Sequence, residues 1–163
     1  PVSDKNKSLI TRPPLDQIIN EYDNSILYSD YIIKKITDFV NQPKVLGTIL
    51  FVSDHGENLN EDGMYFHGYK PTFFTTKVPL FVWANDFYVS LHPDIMKNLE
   101  ININKKISSS ESVFYTLIDL GRLTLNDPDT VKSLTNKNFL QSKQIILGDN
   151  GKLYNFSNLK MKD

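Results

Sequence analysis

Cysteine is absent from this chain of 163 residues, and neither sign of charge dominates it. Without cysteine, the chain can form no disulfide, no thiolate zinc site and no Cys nucleophile. Its 18 basic and 19 acidic residues give a formal net charge of −1, so we expect no nucleic-acid partner. No apolar stretch approaches the length of a membrane span. The remaining composition, with 40% hydrophobic and 12% aromatic residues, is that of an ordinary globular domain.

The first third of the chain predicts a long helix followed by a strand. Residues 1–14 are polar, contain the run Arg12-Pro13-Pro14 and predict an extended arm. Apolar residues then recur at helical spacing over residues 15–40, which predicts one helix of about 25 residues that ends before Pro43. Residues 45–52 form an unbroken apolar run, typical of a strand buried on both faces. A helix before such a strand indicates an α/β fold with a parallel sheet.

The rest of the chain predicts shorter elements. Residues 57–77 are too irregular for either period, whereas residues 78–84 predict a second buried strand. A short helix is expected over residues 92–100, and a capping box of Ser108 and Glu111 predicts a further helix that ends at Gly121 as its C′ residue. The turn dipeptide Asn150-Gly151 between two apolar segments predicts a closing β-hairpin.

Polar residues directly after the first predicted strand are the best candidates for a site. Asp54, His55 and Glu57 follow the apolar run, and His67 lies twelve residues beyond His55. Carboxylate and imidazole are both zinc ligands, and ligands collect beyond the carboxyl ends of strands in open α/β sheets. The alternatives are that Asp54-His55-Gly56 is an ordinary polar turn and that His67 is a surface residue. The residue pattern alone leaves both alternatives open.

Three blocks of this sequence, taken in order, are similar to a known family. They are residues 22–31 (YDNSILYSDY), 52–68 (VSDHGENLNEDGMYFHG) and 78–83 (VPLFVW). Together they resemble the phosphoethanolamine transferases, in the sulfatase-like branch of the alkaline phosphatase superfamily. The resemblance implies the C-terminal portion of an alkaline-phosphatase-like sandwich: a mostly parallel sheet flanked by helices, with a C-terminal β-hairpin. Residues 1–163 are then expected to form a single, partial catalytic domain.

The resemblance also implies an activity, a cofactor and a location. Such enzymes are held in the bacterial inner membrane by N-terminal helices, which this chain lacks, and their catalytic domain is periplasmic. They move phosphoethanolamine from phosphatidylethanolamine to lipid A, other lipopolysaccharide sugars or glycans. A zinc-bound Thr attacks the phosphorus and becomes a covalent phosphoenzyme.

The family motif assigns roles to four residues of this chain. Asp54 and His55 match the zinc ligands, and His67 matches a catalytic His that contacts the phosphoryl group or a second zinc. Glu57 belongs to the same motif and is expected to support the site. The nucleophilic Thr and an acidic zinc ligand lie upstream in this family and have no match here. We therefore expect this chain to hold about half of a zinc site and to be inactive by itself.

Two other functions remain open at this point. One is a sulfatase or phosphodiester hydrolase of the same superfamily, since those enzymes carry a similar Asp-His strand end. The other is a non-catalytic binding module that retains half of the fold.

Overall fold

The computed structural model describes residues 13–68, 70–141 and 143–160, apart from the side chain of Asp62. The predicted arm falls on residues 1–14; residues 1–12 lie outside the described part, and Pro13 and Pro14 have no regular secondary structure. The described helices are α1 (Leu15–Val40), α2 (Phe73–Thr76), α3 (Asp86–Leu91), α4 (Pro93–Asn102) and α5 (Ser109–Leu120). The strands are β1 (Thr48–Val52), β2 (Asn58–Leu59), β3 (Tyr65–Phe66), β4 (Leu80–Ala84), β5 (Ile145–Leu147) and β6 (Leu153–Asn155).

The mixed helix-and-strand class is confirmed, but the expectation of a mostly parallel sheet is wrong for the described strands. β1 pairs with β4 in antiparallel register, with Thr48 opposite Ala84 and Val52 opposite Leu80. β2–β3 and β5–β6 are antiparallel as well, and the last pair is the predicted C-terminal hairpin. The apolar run correctly indicated a strand, but an apolar run has no feature that specifies the direction of its neighbour.

β1 and β4 are half-buried along their whole length, not buried on both faces as the sequence predicted. Both strands are also shorter than their apolar runs, since β1 begins at Thr48 and β4 begins after Pro79. Proline has no N–H to give to a ladder, which accounts for the start of β4. Asn85 fixes the other end, because its side chain accepts from the N–H of Tyr88 (2.9 Å) and donates to the carbonyl of Val45 (2.8 Å).

The hydrophobic core lies on the side of the sheet where α3, α4 and α5 pack. Its buried members are Tyr88, Ile95, Leu99, Leu120, Leu134 and Phe139, with Leu80 and Val82 of β4 against them. Buried side chains also hold the segment after α5: Asn102 donates to the carbonyls of Leu134 (2.8 Å) and Asn136 (2.9 Å). The core therefore supports the sheet from the C-terminal half of the chain.

The helix α5 and its N-cap residue Ser108 are confirmed, but the predicted capping box does not form and Gly121 is the C-cap residue instead of C′. Ser108 is the N-cap residue without a side-chain cap hydrogen bond, since its hydroxyl pairs with that of Ser110 (3.1 Å). At the other end Gly121 keeps a right-handed conformation, and the left-handed residue is Arg122 with φ of 56°. The N–H of Leu123 then donates to the carbonyl of Ile118 (3.0 Å), which closes the helix.

The long helix α1 matches its prediction within one residue at each end. It spans 26 residues, and Ile18 is its one described residue in the buried class. Large apolar side chains remain exposed along it, with Leu27 at 68% and Phe39 at 74%. Among the described helices, none combines the length and the apolarity required to span a bilayer.

Candidate functional site

The loop after β1 holds Asp54 and His55 side by side through its own hydrogen bonds. The hydroxyl of Ser53 donates to the carbonyl of His55 (2.8 Å), and the N–H of His55 donates to Oδ1 of Asp54 (2.9 Å). The other carboxylate oxygen, Oδ2, lies 3.8 Å from Nε2 of His55. Two ligand atoms of a tetrahedral zinc lie about 3.4 Å apart, as follows from bond lengths near 2.0–2.1 Å. The pair is therefore close to the spacing that one zinc ion requires.

Gly56 allows this loop to pack directly against α2. Its N–H donates to the carbonyl of Thr75 (3.0 Å), and a Cβ at this position would lie 2.1 Å from the carbonyl oxygen of Phe74. Any side chain would thus collide with backbone, not with a movable group. This contact fixes where the chain leaves His55, and with it the start of β2.

Residues 57–77 contain regular structure that the sequence did not reveal. β2 and β3 form a short hairpin in which Asn58 pairs with Phe66. Asn58 is buried, and its side chain donates to the carbonyl of Phe66 (2.6 Å) and accepts from the hydroxyl of Thr72 (2.8 Å). Thr72 and Thr75 form the capping box of α2. The Thr-x-x-Thr spacing of these two residues is the sequence signal that could have indicated a helix start.

The hairpin register brings Glu57 and His67 together. Each residue lies one position beyond the Asn58–Phe66 pair, and Oε1 of Glu57 lies 2.5 Å from Nδ1 of His67. The ring of His67 also faces that of His55, with 3.8 Å between centroids. Nδ1 of His55 lies 3.1 Å from the carbonyl oxygen of Gly56. The structure therefore places all four sequence-predicted residues in one neighbourhood.

Three of these residues line an open groove of about 890 Å³. Asp54, His55 and His67 contribute to its wall, whereas Glu57 is 21% exposed and sits behind His67. The groove also carries three lysines, Lys70, Lys77 and Lys105, which the sequence analysis did not single out. No motif marks them, because they come from separate loops that only the fold brings together. Cationic side chains beside two imidazoles suit an anionic ligand.

The donor set fits zinc by its chemistry. His55, Glu57 and His67 offer one ligand atom each within 4.8 Å of one another, and Asp54 adds an exposed carboxylate beside His55. Imidazole nitrogen and carboxylate oxygen are ordinary zinc ligands, and a catalytic zinc with three protein ligands keeps a fourth position for water or substrate. Asp54 is not part of the three-residue group, so the described geometry offers two overlapping donor sets.

Comparison with known proteins gives consistent relatives. The phosphoethanolamine transferase EptA of Helicobacter pylori is 33% identical over 102 residues, which is 61% of this chain and 20% of that protein. The Kdo(2)-lipid A phosphoethanolamine 7''-transferase of Escherichia coli is 31% identical over 120 residues, which is 69% of this chain and 20% of that protein. This chain thus spans about a fifth of the length of these curated relatives.

A solved structure shares the fold. The C-terminal periplasmic domain of EcEptC from Escherichia coli, in complex with Zn, superimposes with a TM-score of 0.73 at 23% identity. The match covers 96% of this chain and 45% of that domain. The sulfatase family model matches residues 1–122, three quarters of the chain. The chain therefore belongs to the sulfatase family, within which it is similar to the phosphoethanolamine transferases.

Proposed function

We propose that this chain is part of the periplasmic catalytic domain of a zinc-dependent phosphoethanolamine transferase. Asp54 and His55 are the proposed zinc ligands within it, and His67 contacts the transferred phosphoryl group or a second zinc. The observation that supports this most is the spacing of Oδ2 of Asp54 and Nε2 of His55, 3.8 Å apart at the end of β1. His67 lines the same groove, where it can meet a group bound at that pair.

In such a transfer, His55 would bind the metal and the lysines of the groove would bind the anionic substrate. The carbonyl of Gly56 is an acceptor only, so its contact with His55 requires the proton on Nδ1 and leaves Nε2 as a ligand atom. Zinc, when bound, lowers the pKa of a bound hydroxyl and offsets charge on phosphoryl oxygens. Lys70, Lys77 and Lys105 add positive charge along the groove and would hold an anionic substrate in place. Phosphoryl transfer depends mainly on such positioning and electrostatics.

The substrates and location follow from the relatives as part of the same proposal. The donor is phosphatidylethanolamine and the acceptor is lipid A or a related glycan. The phosphoenzyme forms on a Thr that lies upstream of the residues of this chain. The relatives include a Kdo(2)-lipid A phosphoethanolamine 7''-transferase and the periplasmic domain of EcEptC. The full-length protein would then act at the bacterial inner membrane, with this domain on the periplasmic side.

The proposal is tested by removing the two ligands in the full-length protein. Asp54→Ala and His55→Ala should each reduce bound zinc, measured by mass spectrometry of the metal. Each should slow phosphoethanolamine transfer from phosphatidylethanolamine to lipid A by at least about 100-fold, which exceeds the effect typical of residues that merely support a ligand. Asp94→Ala and His92→Ala are the matched controls, since Asp94 is exposed on α4 and neither residue lines the groove.

Each result decides the proposal. Full transfer activity in either variant at saturating zinc would contradict the ligand assignment. A wild-type protein that hydrolyses an aryl sulfate but transfers no phosphoethanolamine would instead support the sulfatase alternative. A wild-type protein that does neither would support the binding module.

A further inference from the structure

The contact between Glu57 and His67 is built into the hairpin, not left to two loose side chains. Antiparallel pairing of Asn58 with Phe66 puts the preceding and following residues opposite each other at the open end. Glu57 and His67 occupy those two positions, and their side chains meet with 2.5 Å between Oε1 and Nδ1. The pairing register therefore places the two residues opposite each other, and the left-handed conformation of Phe66, with φ of 62°, sets the path of the chain into His67.

Buried polar contacts behind the hairpin hold that register. Asn58 is 3% exposed and bonds both to the carbonyl of Phe66 and to the hydroxyl of Thr72. Gly56 is bonded to the carbonyl of Thr75 on the α2 side. Both neighbours of Glu57 are thus tied to α2 or to its N-cap residue Thr72. A side chain held by such contacts can keep a partner in one orientation, which is what positioning requires.

The contact selects which ring nitrogen of His67 faces the groove. A carboxylate only accepts hydrogen bonds, so the imidazole must present Nδ1–H to Glu57. The nitrogen left for any other partner is Nε2. His67 is 51% exposed and lines the groove, whereas Glu57 does not line it. Glu57 therefore contacts His67 on the side away from the groove and leaves Nε2 of His67 available to a ligand in the groove.

The second carboxylate oxygen adds an independent observation. Oε2 of Glu57 is buried and has no hydrogen-bond partner among the described residues. A buried polar atom without a partner is costly, and proteins retain such atoms chiefly at functional positions. A residue that served only to stabilise the loop would not need a charged group there.

We propose that Glu57 is the positioning residue of His67: its carboxylate holds Nδ1–H of the imidazole so that Nε2 is directed at the phosphoryl group. This inference rests on the proposed transferase function for its kinetic consequence, but the orientation itself does not depend on activity. Glu57 acts through His67 and is not itself expected to touch the substrate.

The orientation is tested in the chain of 163 residues, which contains only three histidines. Nitrogen-15 NMR of the imidazoles, recorded without metal, should show His67 with its proton on Nδ1. In Glu57→Ala, His67 should shift to a mixture of the two tautomers or to Nε2–H, while His92 stays unchanged as the internal reference. A His67 that already carries its proton on Nε2 in the wild type, or that does not respond to Glu57→Ala, would overturn the inference.

The kinetic consequence is tested in the full-length protein. Glu57→Ala should lower kcat about 10–100-fold with KM within about twofold and unchanged zinc content, as for a residue that orients a functional histidine. Glu57→Gln retains an acceptor oxygen and should restore part of the rate. The double variant Glu57→Ala/His67→Ala should be no slower than His67→Ala, because the carboxylate acts only through that ring. Multiplicative losses in the double variant would contradict this.

The control variant and the outcomes separate the two proposals. Glu61→Gln changes another hairpin glutamate, one that accepts from the N–H of Leu59, and should leave kcat unchanged. If Asp54→Ala abolishes transfer and Glu57→Ala does not slow it, the positioning role is wrong and the transferase function stands. If the wild type transfers nothing, the function is wrong, and the NMR result alone decides the orientation of His67.

Discussion

At the scale of single residues, His55 and His67 are oriented in the groove in the same way. Each uses Nδ1 for a protein oxygen, the carbonyl of Gly56 at 3.1 Å or the carboxylate of Glu57 at 2.5 Å. Both rings therefore turn Nε2 outward, and the rings lie 3.8 Å apart. Two imidazoles with fixed orientation beside one carboxylate can hold a metal or a phosphoryl oxygen without rearranging.

Gly56 is the residue on which this arrangement depends most. Gly56→Ala should destabilise the chain by about 1–3 kcal/mol, the usual cost of forcing a group into a packed site. The added Cβ would meet the carbonyl oxygen of Phe74 at 2.1 Å, so the Asp54-His55 loop must move away from α2. Urea unfolding would measure the loss, and the NMR signals of both groove histidines should shift with it.

Gly121→Ala provides the comparison for Gly56→Ala. Gly121 has an ordinary φ of −74°, and the nearest atom to an added Cβ is 3.3 Å away. This variant should cost far less and should leave the histidine signals in place. Equal losses in the two variants would show that the close approach to α2 does not determine the loop position.

The sequence was sufficient to propose candidate site residues, but not to predict the contacts between them. Asp54, His55 and His67 could be proposed from their residue types and from a strand end. Glu57 reaches His67 because the hairpin β2–β3 pairs the chain at this point. Each of its strands has only two residues, which is too short to leave a periodic pattern in the sequence. The lysines of the groove are likewise visible only once the loops are folded together.

Tyr88 links the helix layer at the scale of secondary-structure elements. Its ring is 2% exposed, and its hydroxyl donates to the carbonyl of Leu120 at the end of α5 (2.8 Å). Burial raises the pKa of this phenol, Arg122 opposes the shift, and Asp119 adds to it. The folded state thus favours the protonated, neutral phenol more strongly than the unfolded chain does.

This shift predicts how stability changes at alkaline pH. The stabilising contribution of Tyr88 should be fully present below the unfolded pKa of about 10, and it should be lost as the pH rises through the higher folded pKa. Tyr88→Phe should cost about 1 kcal/mol at neutral pH and remove this part of the alkaline loss. Urea unfolding between pH 8 and pH 11 measures both effects.

Tyr28→Phe is the matched control for the alkaline experiment. Tyr28 lies on α1 with 65% of its surface exposed, so its loss should change neither the stability nor its dependence on pH. If Tyr88→Phe retains the full alkaline loss of the wild type, another group must be responsible for it.

Among the elements, those with long patterns were predicted and those set by tertiary contacts were not. α1 carries a sustained helical period and was predicted within one residue at each end. The predicted parallel direction of β4 relative to β1 was wrong, because the path of the connecting segment decides whether two strands pair parallel or antiparallel. The capping box predicted for α5 does not form, because the hydroxyl of Ser108 bonds to that of Ser110 instead of accepting from a helix N–H group.

At the scale of the whole molecule, α1 stands out because many of its apolar side chains are exposed. Large apolar side chains of α1 are exposed, Leu27 and Phe39 among them, although a helix of this kind normally buries one face. The solved periplasmic domain contains more than twice as much chain as the segment that matches, since this chain covers 45% of it. Under the proposed function, the rest of the full-length protein would cover α1 and supply the other zinc ligands.

The 163-residue chain should accordingly bind zinc weakly and transfer no phosphoethanolamine by itself. A catalytic zinc site normally has three protein ligands, whereas Asp54 and His55 provide two, and the Asp54 side chain is 88% exposed, with only the N–H of His55 bonded to it among the described residues. In the other donor set, His55, Glu57 and His67, the Oε1 of Glu57 and the Nδ1 of His67 are bonded to each other and would have to separate before both could bind a metal. Titration calorimetry should therefore show no tight stoichiometric binding, and Asp54→Ala/His55→Ala should reduce the remaining heat further. Tight one-to-one binding that this double variant abolishes would show that the chain completes the site without the rest of the domain.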